Sequence, residues 1–454
     1  MPDEPSIQPK GRVARGTAAN DGKVTRLDPW LPTVRDGYPA LNVEIDRVVV
    51  ISDDSIQSGG AASVALSSAR LLRQRGVKVT VLTGDAGCNA ELAAAGAEIA
   101  GLNARSITQG NRATAAIRGL YFAQARSFLA DWIEANDTPR TIYHLHNWHK
   151  VLSPSAFVPL RKVAARLFLT AHDYFIVCPN GGYSHFPRDL PCKLIPMSSA
   201  CLVTSCDKRN YAHKLWRSVR HSVRASVFDL NTMPATVIAV HEGMISHLER
   251  GGIDRDVIRV VRNPVSPWTA DRVAAERNEE IFYVGRLEVD KGVDVLARVC
   301  ARIDAPLTII GDGPLGASPS LQGGRNRILG RLTPHEIARE IRRARMLVMP
   351  TRCRETFGMV AAEALMSGVP VIASDLAPIT EDIVRLKIGA ACNPGNEDAL
   401  AAQLTKFIGD DATIATMSRR AFTDSRQLAP TSSQWCDDLI SLYLWKLSRA
   451  NMPV

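Results

Sequence analysis

The stretch Met346–Asp375, MLVMPTRCRETFGMVAAEALMSGVPVIASD, constrains the fold more than any other part of the chain. It contains two short apolar runs, Met346–Pro350 and Pro370–Ala373, which are typical of buried strands. The residues between them predict a loop and then a helix that starts near Phe357 or Gly358. Strand–helix–strand units of this kind build parallel sheets, in which ligands bind beyond the carboxyl ends of the strands.

Two carboxylates in this stretch are candidate ligand-binding groups. Glu363 lies in the predicted helix with apolar neighbours on every side, and a buried carboxylate is costly unless it accepts hydrogen bonds. A ribose diol would donate such bonds. Glu355 precedes the helix, where free backbone NH groups favour an anion. The alternatives are an ordinary buried ion pair for Glu363 and a solvated loop position for Glu355.

The spacing of these glutamates resembles a known motif. Glu355 and Glu363, in ETFGMVAAE followed by ALMSGVPVIASD, resemble the paired glutamates of the retaining glycosyltransferase family 4. The likeness extends from about Val48 to Val384. It implies the α/β GT-B fold, in which two Rossmann-like domains face a central cleft. It also implies transfer of a hexosyl residue from a nucleoside diphosphate sugar to an acceptor hydroxyl, with retention of configuration.

The first half opens with the pattern of a parallel βαβ unit. Arg47–Ser52 reads as a buried strand, Ala61–Arg75 as a helix and Val77–Thr83 as the next strand. Between the first strand and the helix, Gly59 and Gly60 would let the backbone approach a ligand, although a plain tight turn is an alternative. In the family the corresponding loop faces the donor phosphate and the acceptor.

Histidines follow two further strands of the first half. Lone histidines are most often structural, and His144, His146 and His149 are interpreted in this way. His172, in Thr-Ala-His-Asp, resembles the family motif whose histidine lies by the donor sugar and the leaving phosphate. We therefore expect His172 to belong to the site.

The second half opens with a phosphate-binding pattern. Arg286 and Lys291 flank the start of a predicted helix, where two cations and helix NH groups can hold a diphosphate. The pair matches the family's Arg and Lys, and Gly313 falls in the family's glycine-rich turn near the nucleotide.

The resemblance also assigns roles within the site. Arg286 and Lys291 would stabilise the departing diphosphate, and Glu363 would hold the ribose. Glu355 would hold sugar hydroxyls together with backbone NH groups, and His172 would support the sugar. The backbone NH groups are those of Phe357, Gly358 and Met359. In the family scheme the leaving phosphate takes the acceptor proton, and no divalent metal or other cofactor is required.

Four cysteines are clustered in the sequence between His172 and Arg286. Cys178, Cys192, Cys201 and Cys206 allow either a structural zinc site or four ordinary thiols. The absence of a CxxC pair weakens the metal interpretation.

The charge distribution suggests anionic partners. The formal net charge is +9, and the segment Lys208–Arg224 has six Lys or Arg residues and no acid. If helical, this segment is interpreted as a basic amphipathic helix that contacts an anionic membrane or an acidic acceptor, or as a solvated helix face. No recognisable nucleic-acid-binding motif accompanies the charge, which disfavours nucleic acid as a partner.

The remaining expectations concern organisation and location. We predict a disordered tail over residues 1–44, an acceptor-binding domain over 45–265, a nucleotide-sugar domain over 266–428, and a helix over 429–454 that returns to the first domain. Since no apolar run of 18 or more residues and no signal peptide is evident, a cytoplasmic location is expected, with peripheral contact at the inner membrane face.

The resemblance favours a role in polysaccharide or glycolipid synthesis. Two alternatives from other classes are a catalytically inactive sugar-nucleotide-binding subunit and a basic nucleic-acid-binding protein. Turnover of a donor would separate the enzyme from the first. Steeply salt-dependent binding to RNA or DNA would identify the second.

Overall fold

The computed structural model describes residues 44–109 and 111–450. The tail predicted over residues 1–44 therefore lies outside the described residues, apart from Glu44. Two parallel sheets with helices between their strands account for most of the described chain. This alternation confirms the predicted α/β class with two Rossmann-like domains.

The first half of the described chain forms a seven-stranded parallel sheet and a short hairpin. Its strands are β1 (Arg47–Ser52), β2 (Val79–Thr83), β3 (Glu98–Gly101), β4 (Thr141–Leu145), β5 (Leu167–Ala171), the hairpin strands β6 (Ser184–His185) and β7 (Leu190–Pro191), then β8 (Thr236–Ala239) and β9 (Ile258–Val260). The order across the sheet is β3-β2-β1-β4-β5-β8-β9. Alternate residues of β1 belong to different apolar cores, Val48 and Val50 to one and Val49 and Ile51 to the other. Both faces of the sheet are thus covered, which explains why β1 is apolar throughout.

The second half forms a six-stranded parallel sheet of the same type in the described chain. Its strands are β10 (Glu280–Val284), β11 (Leu307–Ile310), β12 (Asn326–Ile328), β13 (Ala344–Met349), β14 (Val371–Ser374) and β15 (Gly389–Cys392). The order is β12-β11-β10-β13-β14-β15. In each sheet the direction of winding reverses beside the first strand, and ligands bind at such a switch point in doubly wound sheets.

Helices connect and cover the strands. They are α1 (Gly60–Gln74), α2 (Ala90–Ala94), α3 (Arg112–Leu120), α4 (Ala123–Asn136), α5 (Phe157–Leu160), α6 (Ser199–Val203), α7 (Tyr211–Val227), α8 (Ile245–Arg250), α9 (Val293–Arg302), α10 (Pro334–Glu340), α11 (Met359–Met366), α12 (Ile379–Leu386), α13 (Glu397–Ile408), α14 (Asp411–Asp424) and α15 (Ser432–Ala450). The strand, loop, helix and strand predicted over Met346–Asp375 are confirmed as β13, α11 and β14 with the loop between them. None of the helices in the described ranges is long and apolar enough to span a bilayer.

The last helix, α15, lies against the first sheet. Trp435, Leu439 and Tyr443 share an apolar core with residues of β1 and α1. The Tyr443 hydroxyl lies 2.6 Å from Nδ1 of His144, which follows the centre of β4. Arg75, just beyond α1, forms an ion pair with Asp437. Helix α15 therefore packs against the first half of the described chain and stabilises it.

Helix α7 contradicts the basic amphipathic face predicted for Lys208–Arg224. Its cations point inward: Lys214, Arg220 and Arg224 are all buried. The Arg224 guanidinium donates to the carbonyls of Ile176 and Phe228, at 2.9 and 3.1 Å. These buried carbonyls need donors, and the arginine supplies them. The basic face predicted for this helix is therefore wrong, although Lys208 and Arg209, just before it, are exposed.

Candidate active site

Loops from both switch points line one cleft of about 1320 Å³ that is open to solvent. The loop after β1 contributes Gly59 and Gly60, and the segment after β5 contributes His172. The second half contributes three residues from the loops that follow β10 and β13. These are Arg286, Lys291 and Glu355. Six residues singled out in the sequence therefore face the same space, although they come from four different loops.

The charged groups of the second half are paired with one another. Lys291 Nζ forms an ion pair with Glu355 Oε1. Burial alone would lower the pKa of Lys291, but the adjacent Glu355 carboxylate outweighs it and the pKa is raised. Arg286 is 62% exposed and its Nη1 lies 2.6 Å from Glu288 Oε1. The Glu355 carboxylate thus favours the charged form of Lys291.

The start of α11 supplies backbone donors beside this pair. Gly358 adopts the left-handed conformation with φ of 106°, which glycine tolerates best. No side chain caps the helix, and among the described residues no hydrogen bond is found for the NH groups of Phe357, Gly358 or Met359. Phe357 is buried, and Phe357, Gly358 and Met359 are not among the residues that line the open cleft, whose lining in this loop ends at Thr356. A helix start with free donors is suited to an anion or to sugar oxygens.

Gly59 and Gly60 are not required by local packing, in contrast to Gly313. A Cβ atom added at either position would meet nothing within 4 Å, so local packing does not require glycine there. Both line the cleft at the start of α1. Side chains at these positions would occupy space that a ligand could use.

Gly313, by contrast, is explained by packing within the protein. Its φ is 151°, and an added Cβ would lie 2.6 Å from the Leu287 carbonyl oxygen. Leu287 follows Arg286, and its backbone NH donates to the Asp312 carbonyl at 2.8 Å. Gly313 is not among the residues that line the cleft. It allows the turn after β11 to rest on the loop that carries Arg286.

Glu363 is half-buried on α11 and stands apart from the paired charges. No hydrogen bond or ion pair of its carboxylate is found within residues 44–109 and 111–450. Burial raises the pKa of Glu363 to about 7. The residue does not line the open cleft. The buried-ion-pair alternative is therefore wrong for the described chain, because the carboxylate has no cation beside it.

The first half presents neutral histidines to the cleft. His172 Nε2 lies 3.0 Å from Nδ1 of His146, and the two rings are stacked. Burial lowers the pKa of His172 to about 3 and that of His146 well below its usual value. His144 is held between Tyr443 and Thr170, with contacts of 2.6 and 2.7 Å. His144 is thus a satisfied structural histidine, as predicted, while His146 positions His172.

Several cleft residues were missed by the sequence interpretation. His149 was interpreted as structural, yet it lines the cleft beside Lys150 and Asp173. Burial raises the pKa of Asp173 to about 6. Arg354, next to Glu355, also lines the cleft, and its Nε has no partner in the described chain. The available signal was position: Asp173 and Arg354 adjoin His172 and Glu355, which had been selected, and His149 and Lys150 follow the end of β4.

The halves also touch across the cleft. The Thr356 hydroxyl donates to the His172 carbonyl at 3.0 Å. Lys208 lies 2.7 Å from Asp290, and Arg352 lies 3.0 Å from Asp189. These contacts hold the histidine wall opposite the loop that carries Glu355.

The cysteine cluster does not form the zinc site that the sequence left open as an alternative. Within the described ranges, no group of three or more His, Cys, Asp or Glu residues could hold a metal ion. The thiols have protein partners instead. Cys178 and Cys206 each lie 3.2 Å from the Asn180 amide, and Cys201 lies 3.2 Å from Lys214 Nζ. Cys192 is half-buried, and all four are free thiols. The four-thiol alternative therefore describes the cluster.

Solved structures share this architecture. Sucrose-phosphate synthase from Thermosynechococcus elongatus superposes with a TM-score of 0.66 at 16% identity, covering 89% of this chain and 100% of that one. HepE from Anabaena, solved with UDP-glucose, superposes with a TM-score of 0.59 at 15% identity, covering 87% and 99%. At such identities the likeness establishes the fold alone.

Two family models match almost consecutive parts of the sequence. One, described as a glycosyl transferase 4-like domain, matches residues 59–264, and the other, described as glycosyl transferases group 1, matches residues 267–424. The chain belongs to the GT-B glycosyltransferases. The two matches meet in the segment between β9 and β10; the first covers every strand of the first sheet except β1, and the second covers the second sheet of this GT-B glycosyltransferase.

A curated relative extends the comparison. The glycogen synthase of Mycobacterium tuberculosis is 27% identical over 282 residues, which represent 58% of this GT-B glycosyltransferase and 64% of the relative. The matched part therefore spans less than two-thirds of that relative's length.

Proposed function

We propose that the protein is a retaining glycosyltransferase that moves a hexosyl residue from a nucleoside diphosphate sugar to a hydroxyl of a glycan or glycolipid. One observation carries the proposal. Lys291 and Glu355 from the second half face His172 and the open Gly59–Gly60 turn of the first half in one cleft. The family matches and the glycogen synthase relative support the same activity.

The donor diphosphate binds between Lys291, Arg286 and the start of α11. Because Lys291 already pairs with Glu355, an entering diphosphate competes for the ammonium group. Release of Glu355 then frees a carboxylate that accepts hydrogen bonds from the sugar hydroxyls. The backbone NH groups of Phe357, Gly358 and Met359 donate to oxygens of the same sugar or phosphate.

Glu363 holds the ribose. Its carboxylate lacks a partner in the described chain, and burial raises its pKa to about 7. A diol that donates two hydrogen bonds would satisfy both oxygens and favour the ionised form. Ribose binding thus offsets the cost of keeping this carboxylate in an apolar helix.

The transfer uses the leaving phosphate as the base. The bond between the anomeric carbon and the diphosphate breaks, and the bond to the acceptor oxygen forms on the same face of the sugar. The acceptor proton passes to a phosphate oxygen. Arg286, Lys291 and the α11 start stabilise the negative charge that develops, so this scheme needs no divalent metal. His172, which is neutral, supports the sugar without adding charge.

A thermal-shift panel with UDP, GDP, ADP and their sugar conjugates, with and without EDTA, tests the donor site. A matching nucleotide at 100 times its Kd should stabilise the fold by about 2.7 kcal/mol. Glu363→Ala should remove most of this shift. Glu381→Ala, which changes an exposed glutamate on α12, is the control and should retain it. An unchanged shift in Glu363→Ala would contradict the ribose assignment.

A second assay separates an enzyme from an inactive binding subunit. The stabilising donor is incubated with the protein, and release of the nucleoside diphosphate is followed with and without glycan acceptors. We expect slow hydrolysis that an acceptor accelerates. Binding without any turnover would instead identify a sugar-nucleotide-binding subunit.

A further inference from the structure

The exposed apolar side chains of the described chain are concentrated on one part of the first half. Of the eleven large hydrophobic residues that are exposed there, six lie on or directly beside α3, α6 and α7. They are Ile117, Tyr121, Val203, Tyr211, Leu215 and Val219. Scattered single residues need no explanation, but a concentration of this kind marks an interaction surface.

Helices α3 and α6 each adjoin α7. The Trp216 indole of α7 donates to the Ala116 carbonyl of α3 at 3.0 Å. The Tyr211 hydroxyl donates to the Leu202 carbonyl of α6 at 3.0 Å. Tyr211, Leu215 and Val219 recur every fourth residue, so they form one stripe along α7. We call the six exposed residues the apolar surface.

The orientation of α7 explains why this stripe is exposed. Lys214 is fully buried, with Nζ 3.2 Å from Cys201 Sγ, and Arg220 is packed between the rings of Trp148 and Trp216. With its cations on the inner face, the helix must present its apolar residues outward. Exposing several large apolar groups to water is unfavourable, so a partner that covers them would stabilise the protein.

The segments that carry five of the six residues of the apolar surface have charges of one sign. Residues 99–130 and 208–228, which contain all of them except Val203, have no Asp or Glu. Exposed arginines lie on or next to the same helices, namely Arg105, Arg112, Arg126 and Arg209. Arg126 Nη1 lies 3.2 Å from the Tyr121 hydroxyl, so a cation adjoins the surface directly.

We propose that the apolar surface docks onto a bilayer that contains anionic phospholipids. Apolar side chains enter the headgroup boundary while the surrounding arginines contact lipid phosphates. A second copy of the chain is disfavoured, because the like-charged surfaces would repel one another. Residues 1–43 are disfavoured as an occupant, since their acidic and basic residues nearly balance. This inference is independent of the proposed transferase activity.

Vesicle flotation of the full chain tests the proposal. Vesicles of phosphatidylcholine alone are compared with vesicles that also contain phosphatidylglycerol. We expect binding to the anionic vesicles, weaker binding in about 0.5 M NaCl, where charge is screened, and little binding to the neutral ones. Absence of binding to the anionic vesicles at low salt would overturn the proposal.

Substitutions locate the contact. Leu215→Glu combined with Val219→Glu should weaken vesicle binding by at least about tenfold, because apolar burial is lost and a like charge is added. Val384→Glu is the control: Val384 on α12 is 49% exposed, close to the 51% of Val219. The control should bind as the parent does, and all variants should melt at similar temperatures. If the control loses as much vesicle binding as the double variant does, the bilayer contact is not on the apolar surface.

Light scattering tests whether a second copy of the chain, rather than a bilayer, covers the apolar surface. The parent should stay at one molar mass over a wide range of concentration. A doubling of mass with concentration that Leu215→Glu abolishes would overturn the membrane assignment, because it would identify the surface as an interface between two copies.

Discussion

The two walls of the cleft differ in charge: the wall of the second half contains an ion pair, and the wall of the first half contains neutral histidines. In the second half, Lys291 and Glu355 form an ion pair, in which opposite charges lie side by side. In the first half, His146 and His172 are stacked, and burial keeps both neutral. The charged wall can exchange one partner for another when an anion enters. The neutral wall can donate or accept hydrogen bonds without attracting the anion away.

This difference is consistent with a division of labour in the proposed reaction. A diphosphate carries charge that must be balanced as it leaves, whereas an acceptor hydroxyl or a sugar ring needs only hydrogen bonds. Glu363 is intermediate between the charged pair and the neutral histidines. It is a carboxylate of the second half, and burial raises its pKa to about 7. Each of the following experiments changes one member of this comparison.

Removing the cation of the charged wall should have the largest effect. Lys291→Met deletes the ammonium beside the leaving diphosphate and leaves Glu355 without its partner. We expect kcat/KM for sugar transfer to fall by about 10²–10³. Lys78→Met is the control, since Lys78 pairs with Glu98 at 3.3 Å at the edge of the first sheet. Similar activity in the two variants would mean that Lys291 does not stabilise the leaving group.

Changing the neutral wall should have an intermediate effect. His172→Asn keeps a neutral hydrogen-bonding side chain and should lower kcat by about 10- to 100-fold through lost positioning. Because burial lowers the pKa of His172 to about 3, the imidazole does not titrate between pH 5 and 8. The pH profiles of the parent and the variant should therefore be parallel. An ionisation near neutral pH that disappears in His172→Asn would show that this wall is charged.

The smallest effect concerns the pH dependence contributed by Glu363. A donor that binds the ionised carboxylate must displace its proton at low pH, so affinity should rise by about tenfold from pH 6 to pH 8. Glu363→Gln should flatten this dependence, which calorimetry at each pH would measure. The folded state holds the proton more tightly than the unfolded chain, whose glutamate titrates near 4.5. Stability from this group is therefore present below that pH and is lost as the pH rises towards 7.

The sequence by itself determined the elements that local pattern controls. Apolar runs and a helix stop were enough to place β13, α11 and β14. Strand ends together with the family resemblance selected His172, Arg286 and Glu355, and these three residues line one cleft. They come together because parallel strands place their carboxyl ends on one edge of a sheet.

Only the tertiary structure decided which groups meet. The pairing of Lys291 with Glu355 and of His146 with His172 joins residues from different loops, and no local pattern encodes such a contact. For α7 the sequence showed a helix with a basic face, but the buried carbonyls of Ile176 and Phe228 drew Arg224 inward. Periodicity defines the two faces of a helix, whereas the unsatisfied groups of the surrounding fold decide which face is buried.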